Sequence, residues 1–211
     1  NSRDSRDEEE QSDRRNYSRN SRSLGLVVSA GYSQLKGFDI YGNGKTKLTG
    51  FSLGAGVSYK PLYLSVKPPL GRELAPILYS GLIYQRTTGK NEKTLSTVKI
   101  TYSNLSLNVS LGLHYVVVPK HTIELLGNAG FVFFNDFAFK STSGNVTYTD
   151  KISLHYYYGG SAGVFTDYYG TDVGLFGVYN MHRLKIDDLG IKYKTSYNEM
   201  SINLVVRYFI R

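Results

Sequence analysis

The chain has 211 residues, 22 of them Gly, 19 Tyr and 10 Phe, with no Cys, no Trp and a formal charge of +8. Without cysteine there is no disulfide, thiol nucleophile or thiolate metal site. Mean hydropathy is −0.28, and no run approaches the roughly 20 apolar residues of a spanning helix; that excludes a helical membrane protein but not one that crosses with strands, where only alternate residues face lipid.

Residues 1–22 hold six Arg and six acidic residues, and Tyr17 is the only large side chain. Such a segment cannot bury a core and is expected to be a disordered, charged periplasmic tail: a solvated leader or spacer, with a docking tail that orders on a partner as the sharper alternative. No apolar stretch follows Asn1, so a targeting signal, if there was one, is expected to have been removed.

From residue 23 onward the chain alternates with a period of two. Leu24, Leu26, Val28, Ala30 and Tyr32 share one parity; Gly25, Val27, Ser29, Gly31 and Ser33 share the other. The next segment repeats this, with Phe51, Leu53, Ala55, Val57 and Tyr59 against Gly50, Ser52, Gly54, Gly56 and Ser58. A water-soluble sheet buries its bulky face, but here the opposite face is too small to build a core. Bulk outward and small or polar inward is the pattern of a closed barrel in lipid. A soluble ligand-carrying barrel needs the reverse.

Eight strand candidates follow, at about 24–34, 47–59, 76–86, 98–116, 121–134, 151–165, 172–181 and 197–210. The fourth is clear, with Leu105, Leu107, Val109, Leu111, Leu113 and Tyr115 on one face. In the third, Ile77-Leu78-Tyr79 and Leu82-Ile83-Tyr84 blur the alternation. The connections at 35–46, 87–97, 135–150 and 182–196 read as long polar loops. Those at 117–120 and 166–171 are short, and 60–75 carries Pro61, Pro68 and Pro69 and should lie against the rim. Long on one side and short on the other fits bacterial outer-membrane barrels, with both termini periplasmic. The expected fold is therefore all-β: a closed antiparallel eight-stranded transmembrane barrel over 23–211 behind the disordered tail.

Residues 23–211 resemble the small eight-stranded outer-membrane barrels, the class of the OmpA transmembrane domain, OmpX and OmpW. The resemblance rests on strand count, alternation, loop asymmetry and the terminal run Asn203-Leu204-Val205-Val206-Arg207-Tyr208-Phe209-Ile210-Arg211, which is similar to the assembly signal of that class but ends on Arg. The Tyr-, Lys- and Asn-rich style resembles barrels from Bacteroidota. The resemblance implies an outer-membrane location and lipid partners including lipopolysaccharide.

Pairing about the short turn near residue 119 sets His114 opposite Glu124, both inward. Arg207 and Asp172 share the inward parity near the same end. These four are expected to form a polar cluster in the lower lumen, paired because buried charges must be. Leu126, Phe134 and Tyr157 are expected to fill the space left by Gly and Ser on the first two strands, while Tyr156, Tyr158, Phe131 and Phe133 face lipid. Catalysis is not expected: no His-x-Ser occurs, and His155 and Ser161 lie about 20 Å apart along a strand. The four His (114, 121, 155, 182) show no metal-ligand spacing, and His121 and His182 read as strand ends. No cofactor motif is present. The Lys and Arg excess falls in the connections, which suits lipid phosphates rather than nucleic acid. Function is expected to lie in a structural or interaction role, with a protein partner met through 1–22, 60–75 or the outer loops. A narrow channel or small-ligand carrier is the alternative, ahead of a lipid-modifying enzyme.

Overall fold

A computed structural model describes residues 24–38, 46–61, 64–67, 73–91, 98–141, 147–150, 155–188 and 191–210; the tail at 1–22 lies outside them. Among the described residues there are nine strands: β1 (Leu24–Phe38), β2 (Thr46–Tyr59), β3 (Glu73–Asn91), β4 (Val98–Val118), β5 (His121–Ser141), β6 (Thr147–Asp150), β7 (His155–Tyr168), β8 (Thr171–Asp188) and β9 (Ile191–Phe209). Eight of them form one antiparallel ring. The order runs β4-β3-β2-β1-β9-β8-β7-β5, and a β4–β5 pairing closes it. The short β6 pairs only with the upper part of β5, Phe137–Lys140. Closure leaves no edge in the eight-stranded ring, which is what lets a sheet sit in lipid.

The outward face carries the bulk. On β1, Leu24, Leu26, Val28 and Tyr32 are exposed; on β9, Met200, Ile202, Leu204 and Tyr208. On β1 and β9 these runs span Leu24 to Tyr32 and Met200 to Tyr208, close to the 9–11 residues that a tilted strand needs to cross a bilayer. Aromatic residues mark both limits of the band. Tyr32, Phe51, Phe134, Tyr156 and Tyr179 stand at one side; Tyr59, Tyr168 and Tyr208 stand at the other. Rings with a polar tip favour that boundary. The fold is that of a small transmembrane β-barrel.

Several strands outrun the sequence expectation. β3 and β4 remain paired from Arg86–Ser103 up to Asn91–Val98, and β8 and β9 remain paired up to Asp188–Ile191. The connection expected at 182–196 is therefore mostly strand, and of the one expected at 87–97 residues 87–91 are strand while 92–97 lie outside the described residues; the barrel wall continues past the aromatic boundary. The sixth candidate, at 151–165, is matched by β7 from His155 onward, and the short β6 falls inside the connection expected at 135–150. In β3 the odd positions face inward: Ile77, Gln85 and Thr87 are buried while Leu78 and Leu82 are exposed. Its alternation is blurred because Ile77 and Tyr79 fill the lumen opposite small residues.

One expected inward residue faces out. Ser106 pairs with Val132 but Leu105 pairs with Phe134, so Phe133 is an inserted residue. Such a bulge reverses the parity beyond it. Val132 and Asn135 are buried, while Phe131, Phe133 and Phe134 are all exposed. Leu126 and Tyr157 are buried in the lumen, as their parity requires.

The short connections sit at the end that also holds Leu24 and Phe209, called here the turn end. Pro119-Lys120 is a two-residue turn with Lys120 at φ 77. Pro in the first central position and a positive φ in the second describe a type II turn. Tyr169-Gly170 is tighter, with φ values of 51 and 90, and the Gly170 amide donates to Asp167 Oδ1 at 2.7 Å. In the proline-bearing connection, Val66 and Leu74 exchange two backbone hydrogen bonds of 2.8 Å. Lys60 and Glu73, both largely buried, form an ion pair of 3.2 Å at its base. The described part of 60–75 thus folds back on the rim.

Candidate functional site

The lumen is filled in layers. Nearest the turn end, Arg207 of β9 is wholly buried, and its Nη2 lies 2.8 Å from Glu124 Oε1 and 2.6 Å from Asp172 Oδ2. Its Nε also donates to Asp172 Oδ2, at 3.2 Å. His114 Nδ1 lies 2.8 Å from Glu124 Oε1. The four residues singled out from the sequence therefore meet in one cluster. Register accounts for this: His114 faces Glu124 across β4–β5, and Asp172 faces Arg207 across β8–β9. A fifth member was not anticipated. Tyr79 of β3 accepts from Arg207 Nη1 and donates to Glu124 Oε2 at 2.6 Å. Its signal lay in the blurred third strand.

The guanidinium is also enclosed by rings, with its carbon 4.8 Å from the Phe165 centroid and 5.1 Å from that of Phe209. Room for it comes from Gly25, where a Cβ would stand 3.0 Å from Arg207 Cγ. Beside the cluster lies an apolar group of Ile77, Leu126, Phe165, Phe176 and Val205. Phe176 lies flat over Gly163, whose Cβ would come 2.0 Å from the ring.

The middle of the lumen is amide and hydroxyl. Ser52 donates to Asn203 at 2.7 Å, Tyr157 to Asn108 at 3.0 Å and Ser161 to Asn128 at 3.1 Å. A cavity of about 100 Å3 beside Ser29, Gly54 and Gly56 is walled by Tyr79, Ile83 and Asn108.

A second ionisable group lies higher. Glu199 of β9 accepts from Gln85 at 2.8 Å and Asn180 at 3.1 Å, and His182 Nε2 lies 2.9 Å from it. Gln85 also donates to Ser33 and accepts from Asn104 at 2.8 Å. The His182 ring is covered on both faces, by Tyr197 at 4.3 Å and Tyr157 at 4.8 Å between centroids. His155 lies 5.6 Å away. His182 is thus an inward strand residue, not a strand end, and two histidines do share a face. They meet across β7–β8, where Tyr157 pairs with His182, so no spacing within one strand reveals them. Among the described residues no group of three ligating side chains is placed to hold a metal ion.

Above this lies an apolar plug. Leu35, Leu48, Ile100, Tyr102, Phe137, Leu184 and Tyr197 are each 4% exposed or less. Tyr102 stacks on Phe137 at 4.3 Å and meets the edge of Tyr197 at 6.1 Å. From the turn end upward the described lumen thus holds an ion cluster, then amides and hydroxyls, then a carboxylate–imidazole pair, then apolar rings.

No family model and no curated protein matches the chain. Among solved structures it is similar to Neisserial surface protein A, with 14% identity over 89% of this chain and 97% of that one at a TM-score of 0.48. It is similar to the attachment invasion locus protein Ail of Yersinia pestis, with 14% identity, coverage of 88% and 99% and a TM-score of 0.40. It is also similar to the outer membrane protein OprG of Pseudomonas aeruginosa, with 10% identity, coverage of 90% and 98% and a TM-score of 0.34.

Proposed function

We propose that this protein is an outer-membrane barrel that serves as an anchor or interaction subunit and does not conduct. The observation that carries this is the filled lumen, sealed by buried ion pairs at the turn end and by the apolar plug at the other. An eight-stranded ring is only just wide enough for its own side chains, and here they occupy it. A catalytic reading has no support from the one carboxylate–imidazole pair above the ion cluster, since Tyr157 and Tyr197 cover the ring that would have to meet a substrate.

The exposed features then lie outside the lumen. At the turn end, Leu64, Val66, Tyr168 and Tyr169 project from the rim. With the turn end in the periplasm, the tail at 1–22 and the connection at 60–75 would face one partner from the same side. Planar-bilayer recording of the purified barrel tests the sealed lumen. The expected trace is flat, and regular conductance steps would favour the narrow-channel reading instead. A mild-detergent pull-down with and without residues 1–22 tests the partner, which should be lost on truncation.

A further inference from the structure

The two buried histidines above the amide layer have no part in anchoring. Their layer lies directly beneath the apolar plug, opposite the turn end. His182 Nε2 lies 2.9 Å from Glu199 Oε2. An ionised carboxylate only accepts, so this nitrogen carries a proton. The other ring nitrogen, Nδ1, is buried with no hydrogen-bond partner among the described residues. As a bare lone pair it lacks a donor, and as an N–H it would lack an acceptor. Burial therefore locks the ring in neither charge state.

One positive charge is well received here. Glu199 supplies the opposite charge, and the faces of Tyr157 and Tyr197 cover the His182 ring at 4.8 and 4.3 Å, which favours a cation. A second charge is not. The His155 ring stands 5.6 Å from that of His182. At an effective permittivity of about 20, two unit charges at that spacing shift an equilibrium by about a hundredfold. Among the described residues the titratable groups around the pair are Glu199 and Tyr197 from β9, Tyr157 from β7 and, beyond Tyr197, Tyr102 from β4. The nearby groups of β1, β3 and β5 are neutral: Gln85 bonds Glu199 and Ser33, and Val132 pairs with His155.

Tyr197 couples the pair to the plug. Its ring lies at 12° to that of His182, and its hydroxyl is 3.4 Å from His155 Nε2 and 3.3 Å from the Tyr102 hydroxyl. Tyr102 in turn stacks on Phe137. Displacing either imidazole moves Tyr197, and Tyr197 moves the plug.

We propose that His155 and His182 form an acid-sensitive latch. With one ring charged or neither, the pair holds Tyr197 in the lumen; with both charged, the rings part and the plug is released. With the turn end in the periplasm, the latch reads the pH outside the cell. The ion cluster around Arg207 lies beyond the amide layer and stays closed when the latch opens.

The test is hydrogen exchange on the full chain in lipid nanodiscs at about pH 7.5 and about pH 5, on either side of the imidazole range, with rates corrected for the intrinsic effect of pH. At the lower pH, protection of the backbone amides of Tyr102, Phe137 and Tyr197 should fall by about a hundredfold, while that of Leu111, Leu125 and Leu204, within the apolar band, should hold. H155Q and H182Q each leave one imidazole, and either should abolish the fall. The chain has four histidines, so ring NMR of the native protein gives a check that needs no variant: two of the four should titrate as a coupled pair. Unchanged plug protection at the two pH values overturns the latch. So does a fall that persists in both variants, one that spreads equally to the apolar band, or independent titration of all four rings.

Discussion

Replacing Arg207 by Met keeps most of the stem volume against Gly25 and removes the charge. Glu124 and Asp172 are then left in the lumen without the guanidinium that paired them, His114 remains beside Glu124, and Tyr79 loses a donor. Breaking one side of a buried ion pair costs about 3–5 kcal/mol, because the stranded charge has no solvent to return to. Two carboxylates depend on this one guanidinium, and Arg207 and Glu124 are wholly buried, so the upper part of that range is expected. The chain has no Trp, so urea unfolding in detergent micelles is better followed by far-ultraviolet circular dichroism or by the gel mobility of the folded barrel. Adding Glu124→Gln to Arg207→Met should restore part of the loss, since one stranded charge becomes a neutral amide. A loss below about 1 kcal/mol, the value of a solvated surface pair, would refute the sealed, dry cluster and put water in the lower lumen.

Four further outcomes follow from the same geometry. Gly163→Ala places a Cβ 2.0 Å from the Phe176 ring and should cost about 1–3 kcal/mol in urea titration, whereas Gly160→Ala meets its nearest atom at 3.4 Å and should stay within about 0.5 kcal/mol. Glu199→Gln leaves His182 without its carboxylate and should lower the urea midpoint by about 1–3 kcal/mol in stability while leaving the mobility of the folded band unchanged. Lys120→Gly relieves a positive φ of 77 and should stabilise by up to about 1 kcal/mol. Phe137→Ala combined with Arg207→Ala should open both seals and produce conductance in planar bilayers, whereas Phe137→Ala alone should not.

The part of the chain inside the bilayer was legible because lipid imposes one rule on every strand. Bulk goes outward, so parity alone assigned Leu24 to Tyr32 and Leu105 to Tyr115, and hairpin symmetry about residue 119 brought His114 to Glu124. The rule inverts where the wall leaves the membrane. There Leu35, Leu48, Ile100, Tyr102, Leu184 and Tyr197 point inward and Lys36, Lys47 and Lys99 point outward, as in a water-soluble sheet. Followed with the membrane rule, those segments look like polar loops, and His182 was lost with them. The Phe133 insertion was hidden for a different reason. In a run of aromatic and apolar residues an extra one leaves no gap in composition, and only the cross-strand register with Ser106 exposes it.

The cluster around Arg207 also constrains the order of assembly. Its partners are far away in sequence, with separations of 35, 83 and 128 residues to Asp172, Glu124 and Tyr79. Until β9 is in place, a partly formed sheet carries Glu124 on the face that will become the lumen, with only His114 and Tyr79 to meet it. Such a sheet cannot move deeply into hydrocarbon without exposing that carboxylate. Arrival of the last strand supplies the guanidinium and, through Gly25 pairing with Phe209, joins the two ends of the ring in the same event. Charge neutralisation and ring closure are thereby one step, and burial of the turn-end part of the wall in hydrocarbon has to wait for it.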